Sequence, residues 1–416
     1  MDESDMENDA PLDDGLRKKR LYRLPWSLHD NPIGWVEITD KCNITCKGCY
    51  RTALAGHKPF DDIKTEILFL EKWRNINNVH LAGGEPLIHP DIVDIVRFIR
   101  ERGLNPVIIT NGQRLTKELL IGLRDAGLVE MSFHVDSGQT RPGWAGRDDG
   151  ELNELRQQFT DLLWDVGGVN CNFNMTVNPR TVHRVPEVIR WALSNRGRVS
   201  GLTFITLRGF PTKGVKFMEG GRVIDLNSAS IGMVNDVEDE MSTLRWNDLY
   251  RVIKDTFPQY EAASYLGGTR TASSVKWLIA NAICCDEDWI GSVSPTTVEV
   301  AQILHHLRRG RYYAGGRGNA GKRILLMAAV DERIRGVLMG LLRTPSRLFG
   351  KIYTLTVTVI EPNTLLPDGE YEMCDSCPDM TYHKGRLVHS CRLDEYRLYG
   401  SLVKPVVDGE AADGMS

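Results

Sequence analysis

Between residues 34 and 209, short runs dense in β-branched and aromatic residues alternate with longer stretches whose apolar positions recur at helical spacing. The strand-like runs are GWVEITD (34–40), NVHLAGG (78–84), NPVIITNG (105–112), LVEMSFHVDS (128–137), NCNFNMTV (170–177) and SGLTFITLRG (200–209). Amphipathic helices are predicted over Pro90–Arg102, Lys117–Ala126, Leu152–Trp164 and Pro186–Leu193. Six strand–helix units predict a parallel sheet, either open and doubly wound or closed into a partial barrel. Side-chain alternation favours the barrel. Ser132, His134 and Asp136 share one face of the fourth strand, and Asn170, Asn172, Asn174 and Thr176 one face of the fifth. A strand covered by helices on both sides would be apolar on both faces, so the polar face is expected to line a solvated or ligand-filled interior.

The pattern is weaker downstream. FPTKGVKFMEGGRVIDLNSASIGMVND (210–236) reads as a loop-rich insertion, followed by a helix near Leu244–Phe257. Residues 275–350 read as mostly helical, interrupted by AGGRGNAG (314–321), and IYTLTVTVI (352–360) as a strand leading into a late cysteine cluster. The expected organisation is a disordered acidic tail (1–20), a barrel (30–210), an insertion and helical region (211–350) and a small cysteine-rich α+β extension (351–405), with a frayed end at 410–416. The 416 residues are 42% hydrophobic and 25% charged, as in an ordinary globular protein. A net charge of -4 gives no general attraction for nucleic acid. No apolar run is long enough to span a membrane, and the amino terminus carries seven acids before any base, unlike a secretory signal. A cytoplasmic protein is expected, in which nine cysteines point to metal ligands more than disulfides.

Cys42, Cys46 and Cys49 stand in C-x3-C-x2-C spacing just after the first strand. Three thiolates on one loop can hold three irons of a [4Fe–4S] cluster and leave the fourth open. Zinc is the alternative, but it wants a fourth ligand and only His57 is near. Gly83-Gly84-Glu85-Pro86 ends the second strand, where glycines permit close approach and Glu85 offers an acceptor suited to an amino group. Taken together, C-x3-C-x2-C and GGEP on consecutive strand ends resemble the radical S-adenosylmethionine (AdoMet) superfamily, over roughly residues 34–210.

That resemblance implies a partial (β/α)6 TIM-type barrel with the cluster at its mouth. It also implies an enzyme that cleaves AdoMet reductively to a 5′-deoxyadenosyl radical, which abstracts a substrate hydrogen. Cys42, Cys46 and Cys49 are then the cluster ligands, and Gly83, Gly84, Glu85 and Pro86 meet the methionine amino group. Many members carry an aromatic residue just before the third cysteine; here Gly48 stands there, with Tyr50 just after as the candidate for adenine. Ser132, Asn174, Thr176 and Arg208 occupy places where the family holds ribose and carboxylate, and His134 and Asp136 are candidates for substrate proton handling. A flavodoxin or ferredoxin is the expected electron donor.

Cys374, Cys377 and Cys391 form a second set, C-x2-C-x13-C. A zinc ribbon completed by His383 or His389 is one reading, and an auxiliary iron–sulfur cluster, frequent in radical AdoMet extensions, is the favoured one. The spacing matches the GTP 3′,8-cyclase family, but its arginine-rich segment and terminal di-glycine are absent, so GTP cyclisation is not expected. Three cysteines are too few for a two-cluster SPASM domain and suit a twitch-like one. Cys284 or Cys285 could supply a fourth ligand, while Cys171 falls on the core face of the fifth strand. Residues 322–352 carry seven Lys or Arg among many Leu, Ile and Met, either as a helix packed on the barrel or as a peripheral membrane contact. The expected substrate is a small molecule in natural-product tailoring (a sugar, aminoglycoside or nucleoside). The alternatives are a peptide-modifying maturase, a lipid-modifying enzyme, or a non-catalytic iron–sulfur or zinc protein.

Overall fold

The computed structural model describes residues 20–52, 56–209, 215–224, 226, 241, 243–271, 273–315, 321–366 and 368–407. The expected acidic tail up to residue 19, the end at 410–416, much of the 210–236 insertion and most of AGGRGNAG lie outside these residues.

Six strands pair in chain order and all in parallel: β1 (Ile33–Thr39), β2 (Asn78–Gly83), β3 (Asn105–Thr110), β4 (Glu130–His134), β5 (Asn170–Val177) and β6 (Gly201–Thr206). The crossovers carry α1 (Phe60–Arg74), α2 (Ile92–Glu101), α3 (Lys117–Asp125), α4 (Asn153–Val166) and α5 (Val185–Ser194). In α1 the buried positions Ile63, Ile67, Leu70 and Arg74 fall three or four apart, so one stripe faces the sheet. In β5 burial alternates residue by residue: Cys171, Phe173, Met175 and Val177 pack under the helices, and the polar set faces inward. The chain is thus the expected partial (β/α)6 TIM-type barrel of α/β class, with a strand-rich C-terminal extension.

The sheet does not end at residue 210. After α6 (Trp246–Thr256) come β7 (Ser264–Gly267), β8 (Val275–Cys285), β9 (Asp288–Ser292), α7 (Pro295–Arg309), α8 (Glu332–Arg343) and β10 (Ile352–Ile360). β10 pairs in parallel with β6, β8 runs antiparallel to β10, and β7 and β9 both pair with β8. The helical reading of 275–350 is therefore corrected over 275–292. VKWLIANAICC is covered on both faces, and an apolar run of that kind shows neither helical nor strand period clearly. Beyond β10, the hairpin β11 (Met380–His383) and β12 (Arg386–His389) turns through Lys384 and Gly385, both at positive φ, and leads into α9 (Leu393–Tyr399). Strands at Val215–Glu219, Arg222–Ile224 and Lys404–Val407 make a small separate sheet, so part of the insertion pairs with the strand at 404–407. No described helix is long and apolar enough to cross a membrane.

Candidate active site

The C-terminal ends of the parallel strands open onto one cavity of about 750 Å³, where such folds place their ligands. Cys42, Cys46, Cys49, Gly83, Gly84 and Glu85 line it from the loops after β1 and β2. His134, Asn174, Thr176 and Arg208 line it from β4 to β6, as does Tyr50. The opposite wall is formed by Cys374, Cys377 and Cys391 with Asp379 and His389. Trp35, Ile205, Leu207, Trp277, Ile360 and Met373 make the remainder strongly apolar. The two cysteine sets, 325 residues apart at their nearest members, share this one space.

Donors are aimed at the sulfurs of the first loop. Asn111 Nδ2 lies 3.8 Å from Cys42 Sγ, and Gln139 Nε2 lies 3.7 Å from Cys46 Sγ. Backbone N–H groups of Ile44 and Arg51 donate to Cys42 and Cys49. Burial pushes all three thiols up, the more so for Cys46 beside Asp136, so the deprotonated form needs a compensating cation such as iron. A thiolate cluster fits this donor set. Gly48 has φ 75°, and a Cβ there would meet Leu207 Cδ1 at 2.1 Å. Leu207 occupies the room an aromatic side chain would need, which accounts for glycine before the third cysteine.

The glycines of GGEP act between two backbones. A Cβ on Gly83 would come within 2.4 Å of Thr39 O, and one on Gly84 within 1.9 Å of Lys41 O. Gly84 N and Glu85 N instead donate to those carbonyls at 2.7 and 2.8 Å, clamping the end of β2 against the cysteine loop. The Glu85 side chain is buried and already engaged. Oε1 accepts from Leu87 N and Thr110 Oγ1, and Oε2 from Asn111 N at 2.7 Å. Of about four lone-pair sites on a carboxylate, one remains. Glu85 therefore braces the ends of β2 and β3, and with one acceptor site left it still lines the cavity. Pro86 is buried at the start of a 3-10 turn and does not reach the cavity.

His134 and Asp136 form a dyad. His134 Nε2 lies 2.7 Å from Asp136 Oδ2 and 3.0 Å from Thr176 Oγ1. Asp136 is itself buried, off the cavity, and accepts from Gly138 N and Thr176 N. Despite the cost of burial, His134 and these bonds hold its carboxyl below the usual range. Ser132 likewise stays off the cavity and donates to Asn174 Oδ1 at 3.1 Å, so its part is to orient Asn174. Arg208, Arg245 and Lys276 surround the buried Glu361 at 3.6, 2.9 and 3.6 Å. Burial pushes Arg208 down to about 10. Near it on the wall, Thr206 Oγ1 and Asn363 Oδ1 are buried with no hydrogen-bond partner among the described residues.

In the second set the Cys374 and Cys377 thiols are within hydrogen-bonding contact, which with burial pushes Cys377 up; burial pushes Cys391 up to about 12. Fully buried Arg74, the last residue of α1, donates to the carbonyls of Cys377 and Pro378 and ties this loop to the barrel. His389 lies at the base of the hairpin, 3.3 Å from Cys374 O, while His383 sits at its far end. Among the described residues no three His, Cys, Asp or Glu side chains close on one point as a single metal ion would require. Cys284 and Cys285 end β8, seven residues or about 23 Å from Trp277 on the cavity, so they do not belong to this set. Cys171 is core, as expected.

Sequence reasoning does not single out Asn111 or Gln139. It also missed a buried network around Arg51. Arg51 reaches Glu37 at 2.8 Å and Asp40 and Asp394 at 2.5 Å, and Thr52 N donates to Asp394 at 2.8 Å. Its signal was position: Arg51 follows Cys49 by two residues, and Asp394 follows Cys391 by three.

Residues 36–192 match the family model described as the radical SAM superfamily. An AdoMet-dependent heme synthase of Methanosarcina barkeri is 36% identical over 172 residues, covering 38% of this chain and 46% of that protein. A probable GTP 3′,8-cyclase of Saccharolobus islandicus is 31% identical over 159 residues, covering 37% and 50%. The chain thus spans about half the length of the curated relatives it matches. The crystal structure of Streptococcus suis SuiB aligns with a TM-score of 0.40 at 16% identity, over 56% of this chain and 49% of that one. With its cysteine loop, its GGEP strand end and this match, residues 36–192 of the chain are similar to the radical SAM superfamily domain.

Proposed function

We propose that this chain reductively cleaves S-adenosylmethionine and removes a hydrogen atom from a small molecule held between two cysteine-ligated clusters. The observation that supports this most is that both cysteine sets line one cavity together with the GGEP strand end. Cys42, Cys46 and Cys49 would hold a [4Fe–4S] cluster with one open iron, and Cys374, Cys377 and Cys391 an auxiliary one. With cluster and AdoMet bound, the site gains a one-electron route to carbon–sulfur cleavage and a 5′-deoxyadenosyl group that takes the substrate hydrogen.

The chain's own residues do the positioning. Asn111 and Gln139 hold the sulfurs, and Glu85 fixes the loop that faces the cofactor's amino group. Asp136 engages His134 Nε2, leaving Nδ1 as the nitrogen able to handle a substrate proton. Trp35, Trp277 and Ile205 offer flat apolar walls, and Thr206 and Asn363 offer unsatisfied polar atoms. These features support a ring with an apolar face and a hydrogen-bonding edge, the class of a sugar, aminoglycoside or nucleoside in natural-product tailoring. A flavodoxin or ferredoxin would supply the electron.

Anaerobic reconstitution tests the reading. The dithionite-reduced parent should form 5′-deoxyadenosine, and Cys42→Ala, Cys46→Ala and Cys49→Ala should form none; a variant working at the parent rate refutes it. The parent should hold roughly eight irons per chain, and the Cys374/Cys377/Cys391→Ala variant roughly four. One zinc with about four irons in the parent, the zinc lost in that variant, would overturn the auxiliary cluster.

A further inference from the structure

Residues 321–349 form a helical layer at the end of the sheet opposite the cavity. Its inner side chains Ile334, Val337 and Leu341 pack on Ile283, Cys285 and Ile352, where β8 ends and β10 begins, whereas Trp277 and Ile360 line the cavity at the other ends of those strands. Its outer side carries large exposed apolar side chains among charged ones. Leu326 is 79% exposed, Val330 55%, Leu342 52% and Phe349 90%. Single exposed apolar residues are ordinary, but four large ones on one short layer are not.

The charge on this layer runs against that of the whole chain. Residues 321–349 hold six Lys or Arg against two acids, in a chain of net charge -4. One of the acids, Asp331, is buried, capping α8 and accepting from Ser294 and Thr297. Arg333 and Arg347 pair with Glu261 and Asp288, and among the described residues Arg335 donates to the carbonyls of Ala328 and Ala329. Arg323 and Arg343 have no ion-pair partner among the described residues. Exposed apolar tips interleaved with unbalanced guanidinium groups are the chemistry of a segment lying in a lipid interface, apolar tips among the acyl chains and cations at the phosphates. A second copy seated on the same face would oppose two layers of like charge.

We propose that residues 321–349 dock this protein onto an anionic bilayer, with Leu326 and Phe349 inserted and Arg323, Arg335 and Arg343 on the lipid phosphates. The cavity, at the opposite strand ends, then stays away from the lipid. This inference stands apart from the proposed chemistry and does not depend on it.

The test is co-sedimentation of the full chain with phosphatidylcholine vesicles, with and without about one third phosphatidylglycerol, at about 0.1 M salt. Binding should require the anionic lipid and weaken as salt is raised. Arg323→Gln/Arg343→Gln should lower the partition coefficient about 25-fold, at about fivefold per cation. Leu326→Ser/Phe349→Ser should lower it at least about tenfold with an unchanged melting temperature, since both side chains already face solvent. Failure of the parent to sediment with anionic vesicles, or parent-like binding by the Leu326/Phe349 variant, overturns the proposal. So does a lipid-free dimer that the same variant dissociates, which would assign the face to a second copy.

Discussion

Replacing Arg51 by leucine should unfasten the two cysteine loops from each other. Its guanidinium side chain is 3% exposed and lies between Glu37 (0%), Asp40 (24%) and Asp394 (4%). Arg397, at 2.8 Å from Asp40 and 3.8 Å from Asp394, would remain, with Lys58 acting on Glu37 from farther off. Removing one partner of a buried pair costs about 3–5 kcal/mol, because the other charge is left without compensation. At roughly 2 °C per kcal/mol for a chain of this size, the cluster-free variant should melt about 6–10 °C below the parent at pH 8. The deficit should depend on pH. Burial already holds the Glu37 carboxyl above its usual range against the pull of Arg51, and without Arg51 it rises further. A folded-state pKa above the unfolded value favours the fold at low pH and is lost as pH rises through it. Asp40 has the opposite sign: Arg397 and Arg51 depress its pKa, so the parent loses that support as pH falls. The Glu37 effect shrinks the deficit toward pH 5, whereas the Asp40 effect sets in only below its ordinary value of 3.8. Arg51→Leu/Glu37→Gln should recover part of the loss, and Arg51→Lys should fall between. Circular dichroism melts at both pH values decide the matter. A variant within about 2 °C of the parent at pH 8, or one equally impaired at pH 5, would refute the argument.

Glu85→Gln should harm AdoMet binding almost as much as Glu85→Ala, because an amide cannot accept at both oxygens from Leu87, Thr110 and Asn111; equilibrium binding should weaken about ten- to a hundredfold in each. Parent-like affinity in Glu85→Gln would show that the brace is dispensable. Glu130, at the start of β4, is pushed up to about 7 by burial, against a hydrogen bond from Asn172. Its contribution to stability is present below about 4.5 and lost as pH rises through 7. Urea denaturation should therefore find Glu130→Gln gaining up to about 3 kcal/mol on the parent between pH 5 and pH 8.5. A pH-independent difference would count against it.

Much of the barrel was legible because its signals are local. The alternation in NCNFNMTV assigns Asn174 inward and Cys171 to the core, and a strand offers no third choice. Cysteine spacing names the first loop, and GGEP marks the strand end beside it. What sequence could not reveal depends on contacts between distant segments. VKWLIANAICC becomes the interior strand β8 only because β7, β9 and β10 pair with it, and its apolar run carries no period that announces this. That Glu85 braces two strand ends shows only when Thr110 and Asn111, 25 and 26 residues on, donate to its carboxylate. Cys284 and Cys285 look like spare ligands until the length of β8 carries them to the far end of the sheet. The meeting of Cys42, Cys46 and Cys49 with Cys374, Cys377 and Cys391 is likewise decided in three dimensions. Arg74 and Arg51 are the reason, since a buried guanidinium must find its acceptors wherever the fold supplies them, and here those lie more than 300 residues away beside the second cysteine set.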